Sequence, residues 1–189
     1  MPYFKKLIGK KCYLSPCSIT DAQKYTEWVN DLEVAIPMGA EAYQTIPLQK
    51  EEELLKHDIS KQTHLYNIIT TEEDKLVGRC VLLNIDHLNR RANVAIVIGE
   101  KRCWNKGFGR EALRLLLDYG FNLLNLNNVM LTTGAFNKRA IACYKKVGFK
   151  EIGIRRKARI LCGKKYDLIF MDLLAEEFKS DFVARLIEQ

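Results

Sequence analysis

A chain of 189 residues, 48% of them hydrophobic, is long enough to bury one good core and is most simply a single domain over residues 1–189. No run of 18 uncharged apolar residues occurs, and residues 1–11 are too short and too polar for a signal peptide, so a cytoplasmic protein off the membrane is expected. The net charge of +7 raises the question of nucleic acid, but no helix-turn-helix, RNP or zinc-finger pattern accompanies it, and no nucleic-acid partner is expected.

In chain order, residues 12–14 read as a first strand and residues 18–30 as an amphipathic helix capped by Ser18 and carrying Trp28. Residues 32–47 contain Pro37, Gly39 and Pro47 and read as a loop, followed by a helix over 48–58. Strands are expected at 64–70, 76–86 and 91–99, with a turn at 86–90. A long amphipathic helix is predicted over 107–126, a strand over 129–133 and a helix over 138–147. Two closing strands near 149–161 and 165–174 flank Cys162-Gly163-Lys164, a hairpin turn, and residues 175–188 read as a surface helix. This order fits an α/β (α+β) fold with a mixed, mostly antiparallel sheet of six to seven strands and helices on both faces.

The stretch Trp104-Asn105-Lys106-Gly107-Phe108-Gly109-Arg110 joins the apolar, β-branched run Asn93-Val94-Ala95-Ile96-Val97-Ile98-Gly99 to the long helix. A strand, a glycine turn and a helix start leave several backbone N–H groups without intrahelical partners, and those donors suit a phosphate. Gly107 and Gly109 permit a tight turn and a close approach of the main chain, and Lys106 and Arg110 add positive charge. No GxxxxGK[ST] run and no third glycine in GxGxxG spacing are present, which excludes a P-loop and a Rossmann turn.

A second block, Asn137-Lys138-Arg139-Ala140-Ile141-Ala142-Cys143-Tyr144-Lys145-Lys146-Val147-Gly148-Phe149, has Asn137 to cap a short helix and Gly148 to end it. Tyr144 stands seven residues after Asn137, about two helical turns along the same side. Six scattered cysteines with no CxxC and only three histidines argue against a metal site and for reduced thiols. Cys143 has no histidine in its motif to activate it and reads as a packing cysteine rather than a nucleophile.

Charge is unevenly spread. Between Asp21 and Ser60 there are nine acids and three lysines, a net of −6, which leaves +13 for the rest. Two readings stand: solvated helix faces, or an acidic rim that attracts a cationic amine beside a basic half that attracts phosphates.

Taken together, Arg90-Arg91-Ala92, Trp104 through Gly109, Asp118-Tyr119-Gly120-Phe121, Asn137 through Ala140 and Gly148-Phe149 resemble the GNAT superfamily of acetyl-CoA-dependent N-acetyltransferases. Within it the chain looks most like the bacterial ribosomal-protein and polyamine acetyltransferase type. The resemblance is strongest over residues 76–172. It implies acetyl-CoA as cosubstrate, no metal, and a small-molecule or peptide amine as acceptor: a protein N-terminus, a polyamine or another small amine. A homodimer is an expectation of the same kind. The alternative is a GNAT-fold protein that binds an acyl-CoA as a sensor or scaffold without turnover.

The resemblance also implies site residues. Val97, Ile98 and Gly99 would offer main-chain groups to the pantetheine arm and the thioester carbonyl, where an N–H would stabilise an oxyanion. The amides from Asn105 to Arg110, in the motif that Trp104 opens, would hold the diphosphate. Asn137 would contact the pantetheine or the acetyl end, and Lys138, Arg139 or Lys145 would meet the adenosine phosphate. Tyr144 occupies the general-acid position, the other reading being a ring packed on the sheet. Asn93 stands where many relatives carry a glutamate base, and an amide orients water but takes no proton near neutral pH. Glu100, His87 and the acids between Asp31 and Glu41 are the candidate bases. Met38 and Tyr43 are candidate linings of the acceptor pocket.

Overall fold

The computed structural model describes residues 3–61, 63–180 and 182–187. Eight strands form one sheet in the order β1-β2-β3-β4-β5-β6-β8-β7. The strands are β1 (Leu7–Ile8), β2 (Cys12–Pro16), β3 (His64–Thr70), β4 (Leu76–Asp86), β5 (Arg91–Ile98), β6 (Asn128–Gly134), β7 (Lys150–Leu161) and β8 (Lys164–Leu174). Every pairing is antiparallel except β5 with β6. The fold class matches the expectation; the sheet gains β1, a two-residue strand too short to carry a periodic signal.

Alternation along β5 sorts its side chains between two cores. Ala92 and Val94 are buried against α4 (Phe108–Asn122), with Ile96 and Ile98 packed beside them, while Val97 packs on the opposite face with Tyr25, Trp28 and Leu55. That second face is covered by α1 (Ala22–Val29), α2 (Leu32–Met38) and α3 (Leu48–Ser60). Helix α5 (Lys138–Val147) packs beside α4, capped by Asn137 and ended by Gly148 as expected.

Three stretches differ from the sequence reading. Ser18 does cap, but it caps a 3₁₀ turn over Ile19–Asp21, and α1 proper begins at Ala22. Residues 32–47 are not a loop throughout: Asp31 accepts from Glu33 N at 3.0 Å and starts α2, which runs to Met38. Pro37 is tolerated because it sits in the last turn, where its missing N–H forfeits a single bond. At the carboxyl end, the helix predicted over 175–188 is a 3₁₀ turn at Ala175–Glu177 and a short α6 (Val183–Ile187); residues 181 and 188 lie outside the described residues. The long helix also stops early, at Asn122.

The break at the carboxyl end has a cause in α4. Asp118 is 1% exposed and accepts from Ser180 Oγ at 2.7 Å, Phe182 N at 2.8 Å, Val183 N at 3.3 Å and Asn122 Nδ2 at 2.8 Å. One carboxylate thus anchors the start of α6 on the back of α4. Asp118→Ala leaves these donors without their acceptor and should lower the unfolding free energy by about 2–4 kcal/mol in urea denaturation.

Candidate functional site: the gap between β5 and β6

Strands β5 and β6 pair only from Arg91 with Asn128 to Asn93 with Met130. Beyond Asn93, β5 remains bonded to β4 through Ile98, so its other edge faces an opening. A cavity of roughly 600 Å³ occupies that opening, floored by Val94 to Ile98 of β5 and Leu131 to Thr133 of β6. The starts of α4 and α5 and the side of α2 complete its walls.

At the α4 end, the chain turns through two left-handed residues, Asn105 with φ 59° and Gly107 with φ 91°. Such turns aim successive amides to one side, and glycine takes the conformation without a Cβ penalty. The first backbone amide here that donates within the fold is Glu111 N, to Gly107 O at 3.0 Å; those of Asn105 through Arg110 have no backbone acceptor among the described residues. Lys11, from the β1–β2 hairpin, reaches over this turn, with Nζ 3.0 Å from Lys106 O.

The hairpin is held there by Glu111, in the first turn of α4. Its carboxylate accepts from the amides of Lys10, Lys11 and Cys12 at 3.0, 2.6 and 2.9 Å. A third tie crosses the gap: Trp104 Nε1 donates to Ile98 O at 2.6 Å, and the Arg139 guanidinium lies 3.6 Å from the Trp104 ring centroid. This cation–π contact joins α5 to the end of β5.

Of the residues read from the sequence, Val97, Ile98, Trp104, Asn105, Lys106, Gly107, Gly109, Arg110, Asn137, Arg139 and Tyr144 all line the cavity. Phe108 faces the core instead, though its amide belongs to the unpaired run. Gly99 is also outside the lining. A Cβ there would come within 2.4 Å of the Trp28 ring, so this glycine makes room for an indole on the opposite face. Asn93 lies where β5 is still bonded on both sides, to Leu83 and Met130, and does not reach the cavity.

Asn137 uses Oδ1 to cap α5 through Ala140 N at 3.2 Å, which leaves its Nδ2 to donate. The Tyr144 ring packs edge-on against Phe149, with centroids 6.1 Å apart. Burial, with a smaller push from Cys143, raises its hydroxyl to about 12. Burial likewise raises the Cys143 thiol, against a smaller opposing pull from Arg110 and Lys146.

Sequence reading missed Lys11, Val34, Pro37 and Lys146, all in the lining; Met38 is there as expected, while Tyr43 is exposed and bonds Ile160 O at 3.3 Å. Lys11 carries no local signal, since a turn 100 residues away in sequence from its partner Glu111 places it. None of the candidate bases lines the cavity. Glu100 pairs with Lys24 and Arg102, Asp31 and Glu33 hold Lys101, and His87 is exposed in a turn. The acidic segment is similarly occupied: Glu51 is buried against Arg79 at 2.6 Å, and Asp21 accepts from Asn67 Nδ2 at 2.7 Å. The lining contains Lys11, Lys106, Arg110, Arg139 and Lys146 and no aspartate, glutamate or histidine. Among the described residues no group of three or more His, Cys, Asp or Glu could hold a metal ion, and no helix is long and apolar enough to cross a membrane.

A run of amides without backbone acceptors at a helix start thus opens on a gap between parting strands. Residues 11–150 match the model of the acetyltransferase (GNAT) domain, and the chain belongs to that family. It is 28% identical over 174 residues to the uncharacterized N-acetyltransferase p20 of Bacillus licheniformis, covering 91% of this chain and 97% of that protein. With the spermidine N(1)-acetyltransferase of Vibrio cholerae it shares 28% identity over 127 residues, 67% of this chain and 73% of that one. Among solved structures, a Vibrio cholerae spermidine N-acetyltransferase in complex with CoA and spermine superposes with a TM-score of 0.78 at 24% identity, covering 89% of this chain and 98% of that chain. The chain is therefore an enzyme that transfers an acetyl group from acetyl-CoA to an amine.

Lys11 and the turn it covers give a direct test of the grip. Lys11→Ala removes one cation and the bond to Lys106 O, and calorimetry should find CoA binding weakened about three- to tenfold at low salt. The difference should shrink as ionic strength rises.

Proposed function

We propose that the chain, as one domain of a cytoplasmic enzyme, acetylates the α-amino group of a peptide or protein by direct attack of the amine on the thioester. The observation that carries this reading is the chemistry of the cavity: one phenol, five cations, and neither carboxylate nor imidazole. A polyamine entering it would meet no counter-charge. A primary alkylamine, with a pKa near ~10, would also need a base to free it, whereas an α-amine near ~8 is substantially unprotonated at neutral to mildly alkaline pH.

When bound, acetyl-CoA supplies an acetyl group already activated as a thioester. The amides of Asn105 through Arg110, with Lys11 and Lys106, bind its diphosphate, and Arg139 and Lys146 supply charge for the remaining phosphate. The open edge of β5 at Val97 and Ile98 and the Nδ2 of Asn137 orient the pantetheine arm. Tyr144 keeps a proton on its hydroxyl for the departing sulfur. Its raised pKa keeps the phenol protonated across the working pH range and at the same time makes it a weaker acid toward the departing sulfur. Asn93 takes no part in proton transfer on this reading.

A thiol-release assay with N-terminal peptides and with spermidine tests the acceptor. Peptide kcat/KM should exceed that for spermidine by about tenfold or more; the reverse order would overturn the assignment. With a peptide acceptor, kcat/KM should rise as the α-amine loses its proton and level off above about pH 8. A group raised to about 12 stays protonated below that pH, so no falling limb from Tyr144 is expected up to about pH 10. Tyr144→Phe should lower kcat about 100-fold while CoA affinity stays within about twofold by calorimetry.

A further inference from the structure

Strand β7 is exposed from Lys150 to Ala158, and Arg159 is the first residue in it to be partly covered. A bulge sets it apart. Arg155 pairs with Leu168 and Arg159 with Tyr166, so Arg156, Lys157 and Ala158 stand opposite Asp167 alone. Lys157 takes a left-handed φ of 53°, and its amide donates to Asp167 Oδ1 at 2.7 Å. The extra residues turn β7 so that the Arg159 side chain leaves the sheet toward α2.

There its guanidinium donates to Ile36 O at 2.6 Å and to Gly39 O at 3.1 Å. These carbonyls lie at the carboxyl end of α2, where helix oxygens lack partners and the dipole favours a cation. The same guanidinium lies 5.1 Å from the Phe136 ring centroid, just before the Asn137 cap, and 5.8 Å from that of Tyr43. The other end of α2 is tied as well, because Lys101 binds Asp31 and Glu33. A helix of seven residues, fastened at both ends by side chains from elsewhere, gives the cavity Val34, Pro37 and Met38.

We propose that Arg159 is a positioning residue for the acceptor. By clasping the carboxyl end of α2 it fixes that apolar wall and so sets which amines fit, an inference that rests on the transferase reading above. A short helix with a proline in its last turn has little stability of its own, so its place over the cavity depends on these ties. The cofactor grip, at the start of α4, shares no residue with the clasp.

The test uses Arg159→Met, which keeps the length without the charge, and Arg159→Lys, which keeps the charge without the fork. Peptide acetylation should show acceptor KM raised about tenfold in the methionine variant and less in the lysine variant. The KM for acetyl-CoA should stay within about twofold. Hydrogen exchange, read on the protein without acceptor, should quicken in residues 32–43 and stay unchanged in α4. Unchanged exchange in residues 32–43 overturns the clasp, whether or not the wild type acetylates the amine supplied. Faster exchange with an unaltered acceptor KM overturns the positioning role. Failure of the wild type to acetylate any amine, with exchange quickened as expected, counts against the acceptor reading and leaves the clasp standing.

Discussion

Strands β5 and β6 lie side by side for three residues and then part, and the site is arranged around that parting. While pairing lasts, each backbone amide and carbonyl has a partner and no ligand can enter. Once it stops, one edge of β5 is free of strand contacts over Val94 to Ile98, and the helices that follow each strand begin beside the opening. A parallel pair requires crossover connections, so the helix starts fall at the carboxyl ends of the strands. The donors of α4 and the cap of α5 therefore face the same gap. The tie from Trp104 to Ile98 O, backed by Arg139, fixes the mouth of the opening at its wide end.

Charge is divided in a way that the net value conceals. Cations line the cavity, and four acids of residues 21–60 are engaged elsewhere: Glu51 with Arg79, Asp21 with Asn67 and Ser18, Asp31 and Glu33 with Lys101. These contacts help hold the three helices on the sheet. A buried pair such as Glu51–Arg79 is costly to break, because either partner alone would be left as an uncompensated charge. An anionic cosubstrate is drawn in by the cations that line the gap.

Much of this was legible in the sequence. The glycine turn and the Asn137–Tyr144 block each combine a local conformational requirement with a helix cap, and such requirements are met by neighbouring residues. Helix α5 falls on its predicted residues, and Gly107 takes the left-handed turn expected of it, while Gly109 is helical and Asn105 is the second left-handed residue. Where the outcome depended on distant partners, the sequence said little. Lys11 needs Glu111, and α2 needs Arg159 and Lys101, contacts that cross 68 to 123 residues of chain. The prolines and glycine of residues 32–47 read as a loop because their local preference is real; fastening at both ends outweighs it. Gly99 carries a second requirement that its place after the strand does not reveal, because its lack of a side chain makes room for Trp28.

Glu111 is an odd neighbour for a phosphate, since a carboxylate in the first turn of α4 puts negative charge close to where an anion would sit. Turned toward the amides of Lys10, Lys11 and Cys12, it is screened by three donors and at the same time delivers an ammonium group to the far side of the turn. The amino-terminal hairpin thus acts as a sheath over a repulsive group. Peeling it away would withdraw a positive charge and bare a negative one in a single movement, so that the far beginning of the chain governs how welcoming its middle is to anions.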